Sequence, residues 1–285
     1  MRLNPQFLLD VAETMTSDQP ILLDYPVKPT PRYGYGKPPH PKLYEIINRN
    51  RNDYKDTLKS FLRFRENFLK IPLKNSDDAT QPSWVNNWLP GLDSVALYSL
   101  LCLSNPKRFV EIGSGNSTKF ARRAILDQGL RTQITSIDPH PRAQIDLICD
   151  NVIRQPLEDA DLTLFDELQN GDVLYIDGSH RCFPNSDVTV TFLEVLPRLR
   201  DGVFVEFHDI SLPYDYSPML AERYYSEQYL LAVYILAENN KFKIVLPNSF
   251  VSEDMELCDI LNPLWDESKM TGVEKYGGSF WIQVK

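Results

Sequence analysis

R-F-V-E-I-G-S-G-N-S-T occupies residues 108–118. Its first five residues read as a short apolar strand, and residues 117–126 read as a helix that begins at once. Gly113 and Gly115 lie between them, where glycine permits a tight turn and a close backbone approach to a ligand. The amides of Asn116, Ser117 and Thr118 open the helix and suit an anionic group. The stretch is not G-x-G-x-x-G, because Thr118 stands where the third glycine would be. That departure counts against a dinucleotide cofactor.

The chain continues in the same strand–helix rhythm. Strands are expected at 133–137 (Q-I-T-S-I), 151–153, 172–176 (D-V-L-Y-I), 202–207, 242–246 and 279–284. Helices are expected from about Arg142, over 188–199 and over 227–236. Such alternation predicts an α/β fold: a Rossmann-like, seven-stranded, mostly parallel sheet with helices on both faces. In sheets of this kind ligands sit outside the carboxyl ends of the strands.

What each strand carries at that end is therefore informative. The second strand ends in Asp138, about twenty residues past the glycines, where an acid can hold both hydroxyls of a ribose. The competing reading is a helix cap followed by Pro139. The fourth strand ends in Asp177, with His180 three residues later, and the fifth ends in His208 and Asp209. Adjacent strands would bring Asp177, His208 and Asp209 together as a set able to hold a divalent metal. His180 would lie close enough to act as a base. Taken singly, each of these residues is equally well read as a turn or a backbone-bonded histidine. Glu206 shares a face with His208, and is either a supporting partner or turned to other polar contacts of the sheet. His40 and His140 are read as surface or turn residues.

V-E-I-G-S-G-N-S-T, S-I-D-P, V-L-Y-I-D-G-S-H and H-D-I-S-L-P-Y-D-Y, in this order, resemble the class I S-adenosylmethionine-dependent methyltransferases. The likeness is to the branch with metal-dependent sugar O-methyltransferases and cephalosporin hydroxylase-like proteins, and it covers residues 84–285. The resemblance implies that Glu111, Gly113, Ser114, Gly115, Asn116 and Ser117 form the turn for the methionine part of S-adenosylmethionine. It implies Asp138 as the ribose acid, Asp177 beside the cofactor, and an adenine contact near residues 155–157. It further implies a metal, Mg or similar, at Asp177 and Asp209, with His180 as base. His208 stands where relatives commonly carry an acid, and imidazole suits softer metals than magnesium. The implied reaction is O-methylation of a small hydroxylated acceptor, of sugar or phenol type. Tyr214, Tyr216, Tyr224 and Tyr225 form either an aromatic wall for it or ordinary loop packing. The alternatives are a metal-independent methyltransferase with His180 and His208 as an acid/base pair, and a non-catalytic scaffold.

Residues 1–83 read as an appendage. It comprises a short helix at 5–13, a stretch with six prolines from Pro26 to Pro41, an amphipathic helix over 43–69 that breaks near Asn50, and a linker at 74–83. The helix needs a surface to cover, on the catalytic body or on a second copy as a homodimer. With 30 Lys and Arg against 39 Asp and Glu, the net charge of -9 argues against nucleic acid or anionic membrane as partner. A small molecule is the expected partner. Cys102, Cys149, Cys182 and Cys258 form no C-x-x-C pair, so neither a structural zinc motif nor a disulfide framework is expected. Cys182 follows His180 by two residues but reads as a small structural thiol. With no apolar run of signal-peptide or membrane-span length, a cytoplasmic protein is expected.

Overall fold

Seven short runs rich in apolar residues pair into one sheet. They are β1 (Arg108–Ile112), β2 (Gln133–Ile137), β3 (Asn151–Ile153), β4 (Val173–Ile176), β5 (Phe204–Phe207), β6 (Phe242–Pro247) and β7 (Phe280–Val284). The strand order is β3-β2-β1-β4-β5-β7-β6. The first five strands run parallel, and β7 inserts antiparallel between β5 and β6. β4 is buried along its whole length and β1 along all but its first residue, as parallel strands covered on both faces must be. This computed structural model describes residues 23–74, 78–237 and 241–285.

The register fixes the site. Ile112 pairs with Ile176, and Ile176 with Phe207. The residues that follow, Gly113, Asp177 and His208, thus leave the sheet at one level on one rim. Gly113 has φ +77, and a Cβ there would meet the Asp177 carbonyl oxygen at 1.9 Å. Only glycine lets β1 and β4 separate so tightly at this point.

Helices α1 (Pro41–Asn48) and α2 (Arg51–Phe61) realise the amphipathic pattern, with the break at Asn50. A turn at Leu62–Phe64 and a short helix at Arg65–Phe68 continue it. Leu43, Ile47, Tyr54, Leu58, Phe61, Phe64 and Phe68 are buried. Phe64 and Phe68 meet Tyr98 edge-on, and Tyr44 and Tyr54 meet Phe250. The surface this face covers is the sheet-bearing body of the same chain. Residues 31–285 form one compact unit. The expected helix at 5–13 and residues 75–77 of the expected linker lie outside the described residues.

α3 (Gly91–Ser104) was not legible in the sequence pattern. It is apolar on every side and buried from Gly91 to Leu101, so it carries no amphipathic stripe. It packs against α4 (Asn116–Gln128), the helix that follows the glycine turn. The helix expected from about Arg142 is absent, and a single turn at Asp146–Ile148 takes its place. Residues 138–145 run as irregular chain with bends at 139–140 and 142–143, and Asp138 closes a local turn by accepting from the His140 amide. The helix expected over 188–199 forms, but it loosens from α (Asp187–Val190) through π (Thr191–Val195) to a tight turn (Leu196–Arg198) at Pro197. α5 (Glu227–Leu236) forms as expected. Among the described residues no helix is long and apolar enough to cross a membrane.

Candidate active site

The glycine turn is tied down from beneath and from the side. Thr118 Oγ1 donates to Glu111 Oε2 at 2.5 Å and accepts from the Gly115 amide at 3.0 Å. Asp138 accepts from the Ser114 amide on one oxygen and from the His140 amide on the other, both at 2.8 Å. Glu111 is fully buried; burial pushes its carboxyl up to about 8, against hydrogen bonds from Ser117 and Thr118. It is a neutral strut at neutral pH.

A cavity of about 1380 Å³ opens over this turn and over the carboxyl ends of β4 and β5. Gly113, Ser114, Gly115, Asn116, Asp138 and Asp177 line it, as do His180, His208 and Asp209. Glu111 and Ser117 do not; both lie buried below the turn and shape it rather than face the cavity. Nothing lies within 4 Å of a Cβ built on Gly115, so the backbone here borders open space that a bound group can fill. Pro156 and Leu157 line the wall where the adenine contact was expected. Of the four tyrosines, Tyr214 and Tyr225 line the cavity, Tyr216 is buried and Tyr224 faces outward. Cys182 lies outside the lining, and all four cysteines are free.

At the rim, side chains from β4 and β5 converge. His180 Nε2 lies 3.2 Å from Asp177 Oδ1 and 3.6 Å from Asp209 Oδ2. His208 Nδ1 lies 3.5 Å from Asp177 Oδ1 and 3.7 Å from Asp209 Oδ1. Both imidazoles are buried, whereas the two carboxylates are about one-third exposed. Two deeper acids face the far sides of the rings. Glu227, fully buried at the start of α5, meets His180 Nδ1 at 3.0 Å. Asp93, fully buried in α3, lies 3.4 Å from His208 Nε2 and accepts from Asn248 Nδ2 and from the Gly278 and Ser279 amides. Neither His208 nitrogen reaches hydrogen-bond geometry.

These contacts set the charges. Burial pulls His180 down, but the hydrogen bonds to Asp177 and Glu227 outweigh it and hold the imidazole well above its usual range. His208 is buried too, and Asp177 and Asp93 likewise raise it. Asp177 is raised by burial and pulled far below the carboxylate range by the two histidines. Glu227 is raised by burial, with His180 opposing. Glu206 is fully buried and does not line the cavity; burial, only partly offset by His208, raises it well above normal, so it is a neutral acid in the core.

The expected metal set does not close as placed. Among the described residues no group of three or more His, Cys, Asp or Glu is arranged to hold a metal ion. The two imidazole rings lie against the acids instead.

Several residues of this cavity carry no sequence motif. Gly34, Tyr35 and Lys37 come from the proline-rich stretch, which Asp215 holds by accepting from the Arg32 and Tyr33 amides. Trp88 stacks under Arg142, 4.7 Å from its ring, and Glu274 and Tyr276 arrive from the loop before β7. They come from segments with no shared pattern, so only folding assembles them.

Residues 110–210 match the family model of a methyltransferase domain. This span contains the glycine turn, Asp138, Asp177, His180, His208 and Asp209. Among solved structures, the chain is similar to an O-methyltransferase from Bacillus cereus in complex with SAH, at 15% identity over 81% of this chain and 91% of that chain, with a TM-score of 0.41. It is similar to an SAH-bound Podospora anserina methyltransferase, at 14% identity over 85% and 96%, with a TM-score of 0.42. A third similar structure is cmcI with Mg and SAM, at 16% identity over 66% and 68%, with a TM-score of 0.36. No curated protein matches the chain.

Proposed function

We propose that this chain is an S-adenosylmethionine-dependent methyltransferase that methylates a hydroxyl of a small sugar- or phenol-type acceptor, with His180 as proton acceptor. The observation that carries the proposal is the placement of His180 Nε2 beside Asp177 and Asp209 on the wall of the cavity that also holds the glycine turn and Asp138. When bound, S-adenosylmethionine supplies a methyl group already activated on a sulfonium. The turn from Gly113 to Asn116 would seat its methionine part, and Asp138 its ribose through the lone pairs that the Ser114 and His140 amides leave free.

The protein's remaining tasks are alignment and proton removal. Asp177 and Asp209, partly exposed, would accept hydrogen bonds from the acceptor's hydroxyls and hold one in line with the methyl group. Neutral His180 would take that hydroxyl's proton on Nε2 as its oxygen gains the methyl group and the sulfur–methyl bond breaks, leaving S-adenosylhomocysteine. Glu227 on Nδ1 fixes the ring's orientation and stabilises the resulting imidazolium. A divalent ion at Asp177, His208 and Asp209 is the second reading, supported by the closeness of His208 Nδ1 to Asp177 Oδ1 and Asp209 Oδ1, at 3.5 and 3.7 Å.

Methyl transfer from labelled S-adenosylmethionine to a panel of sugars and catechols, with and without a chelator, tests both. His180→Ala should lower turnover by roughly 10²–10⁴-fold, with S-adenosylhomocysteine still bound. Unchanged turnover removes His180 as base, and loss of activity on chelation favours the metal reading.

A further inference from the structure

Two arginines flank the reacting end of the cavity with no carboxylate partner among the described residues. Arg181 follows His180 directly, and Arg223 lies just before α5; both line the cavity. Their guanidinium carbons sit 5.2 and 5.1 Å from the centroid of Tyr225. Tyr225 in turn stacks on His180, with centroids 4.7 Å apart and planes at 28°. The pair is thus one aromatic ring away from the proton acceptor.

Arg181 is held in place. Its Nε donates to the Arg223 carbonyl at 2.9 Å and its Nη1 to the Ser179 carbonyl at 3.0 Å, which leaves Nη2 free. The two segments that carry the arginines are joined by backbone bonds. The Ser226 amide donates to the His180 carbonyl at 2.8 Å and the Cys182 amide to Ser226 Oγ at 2.9 Å. His180 and the arginine pair are therefore parts of one braced unit. Many other arginines of this acidic chain have carboxylate partners, among them Arg51, Arg65, Arg108, Arg122, Arg123, Arg154 and Arg198. Two guanidiniums on one cavity wall, with no carboxylate partner among the described residues, suit an oxyanion, which they can bind through charge-assisted, forked hydrogen bonds.

From this geometry we infer that the acceptor is anionic: it carries a carboxylate or phosphate ester, bound by Arg181 and Arg223, beside the hydroxyl presented to His180. The inference rests on the proposed methyl transfer for the word acceptor, but the subsite can be tested without turnover. Calorimetric titration of the full chain, with and without S-adenosylhomocysteine, would compare matched probes: protocatechuate against catechol, glucuronate against glucose, and a glucose phosphate against glucose. At least one anionic member should bind about tenfold or more tightly than its neutral partner, and the pair that responds separates carboxylate from phosphate. Arg181→Gln with Arg223→Gln should bring that ratio close to one. Arg223→Gln alone, which removes a side chain with only a ring contact, should lower it with the fold intact by circular dichroism.

The inference is overturned if no pair shows the preference, or if the double variant keeps it. It is also overturned if S-adenosylhomocysteine affinity falls by the same factor in the variants, since the arginines would then hold the cofactor's own carboxylate. Anion preference without methylation of any probe would leave the subsite standing and count against the proposed reaction. Failure of S-adenosylhomocysteine to bind would count against the methyltransferase reading alone.

Discussion

Gly113 and Gly115 stand two residues apart in one turn, yet alanine should act on them in opposite ways. At Gly113, φ is +77 and a new Cβ would meet the Asp177 carbonyl oxygen at 1.9 Å and its carbon at 2.7 Å, where real contacts stay above 3.0 Å. The left-handed backbone alone costs about 1–2 kcal/mol for a residue with a Cβ. The clash adds more, because Asp177 can retreat only by stretching its amide bond to the Ile112 carbonyl, now 2.8 Å, worth about 1 kcal/mol net. A total of about 2–3 kcal/mol corresponds to a melting temperature roughly 4–12 °C lower for a chain of this size. At Gly115, φ is 179 and nothing lies within 4 Å of the new Cβ. Gly115→Ala should therefore melt close to wild type, within about 0.5 kcal/mol. Its methyl group projects into the space assigned to the cofactor and should weaken S-adenosylhomocysteine by about tenfold or more. Scanning calorimetry and isothermal titration of both variants decide the matter. Equal melting of the two, or Gly115→Ala binding within twofold of wild type, would refute the reasoning.

Glu111 and Glu227 make separate predictions. Burial raises Glu111 to about 8, so the folded state holds its proton more tightly than the unfolded chain. The stabilisation is complete below the unfolded value near 4.5 and is lost as pH rises through about 8. Glu111→Gln, which cannot ionise, should thus gain stability relative to wild type between pH 5 and pH 8 in chemical denaturation, by an amount on the order of kcal/mol; a pH-independent difference would remove this assignment. His180 is held above its usual range in part by Glu227, and it accepts a proton only when neutral, so turnover should rise with pH through that raised value. Glu227→Gln should shift the rising limb to lower pH, and a limb that stays in place would show that His180 does not limit the rate.

The motifs along this sequence mark the ends of four strands, and strand ends are local events. A glycine pair between an apolar run and a helix, or Asp177-Gly178 after D-V-L-Y-I, is readable because a few neighbouring residues set the turn. The seven-stranded sheet was legible for the same reason, through strand–helix alternation. Where local signals failed, the physical causes are specific. α3 has no polar face to betray a helical period, because the core surrounds it. The segment after Asp138 has helix-compatible residues, but it turns locally, with Asp138 accepting from the His140 amide, and forms only a single helical turn at Asp146–Ile148.

The sequence by itself determined which residues could do chemistry: Asp138, Asp177, His180, His208 and Asp209 were all chosen by their places at strand ends. Only the tertiary structure decided how those groups are charged and what they face. Asp93, from a helix far away in sequence, and Glu227, from the start of α5, close on the far sides of the two histidines. They thereby help raise both rings above the usual imidazole range. Arg223 and Tyr225 gather beside His180 and Arg181 across more than forty intervening residues. A titrating group responds to burial and to every charge within a few ångströms, and those neighbours are brought together by folding rather than by order along the chain.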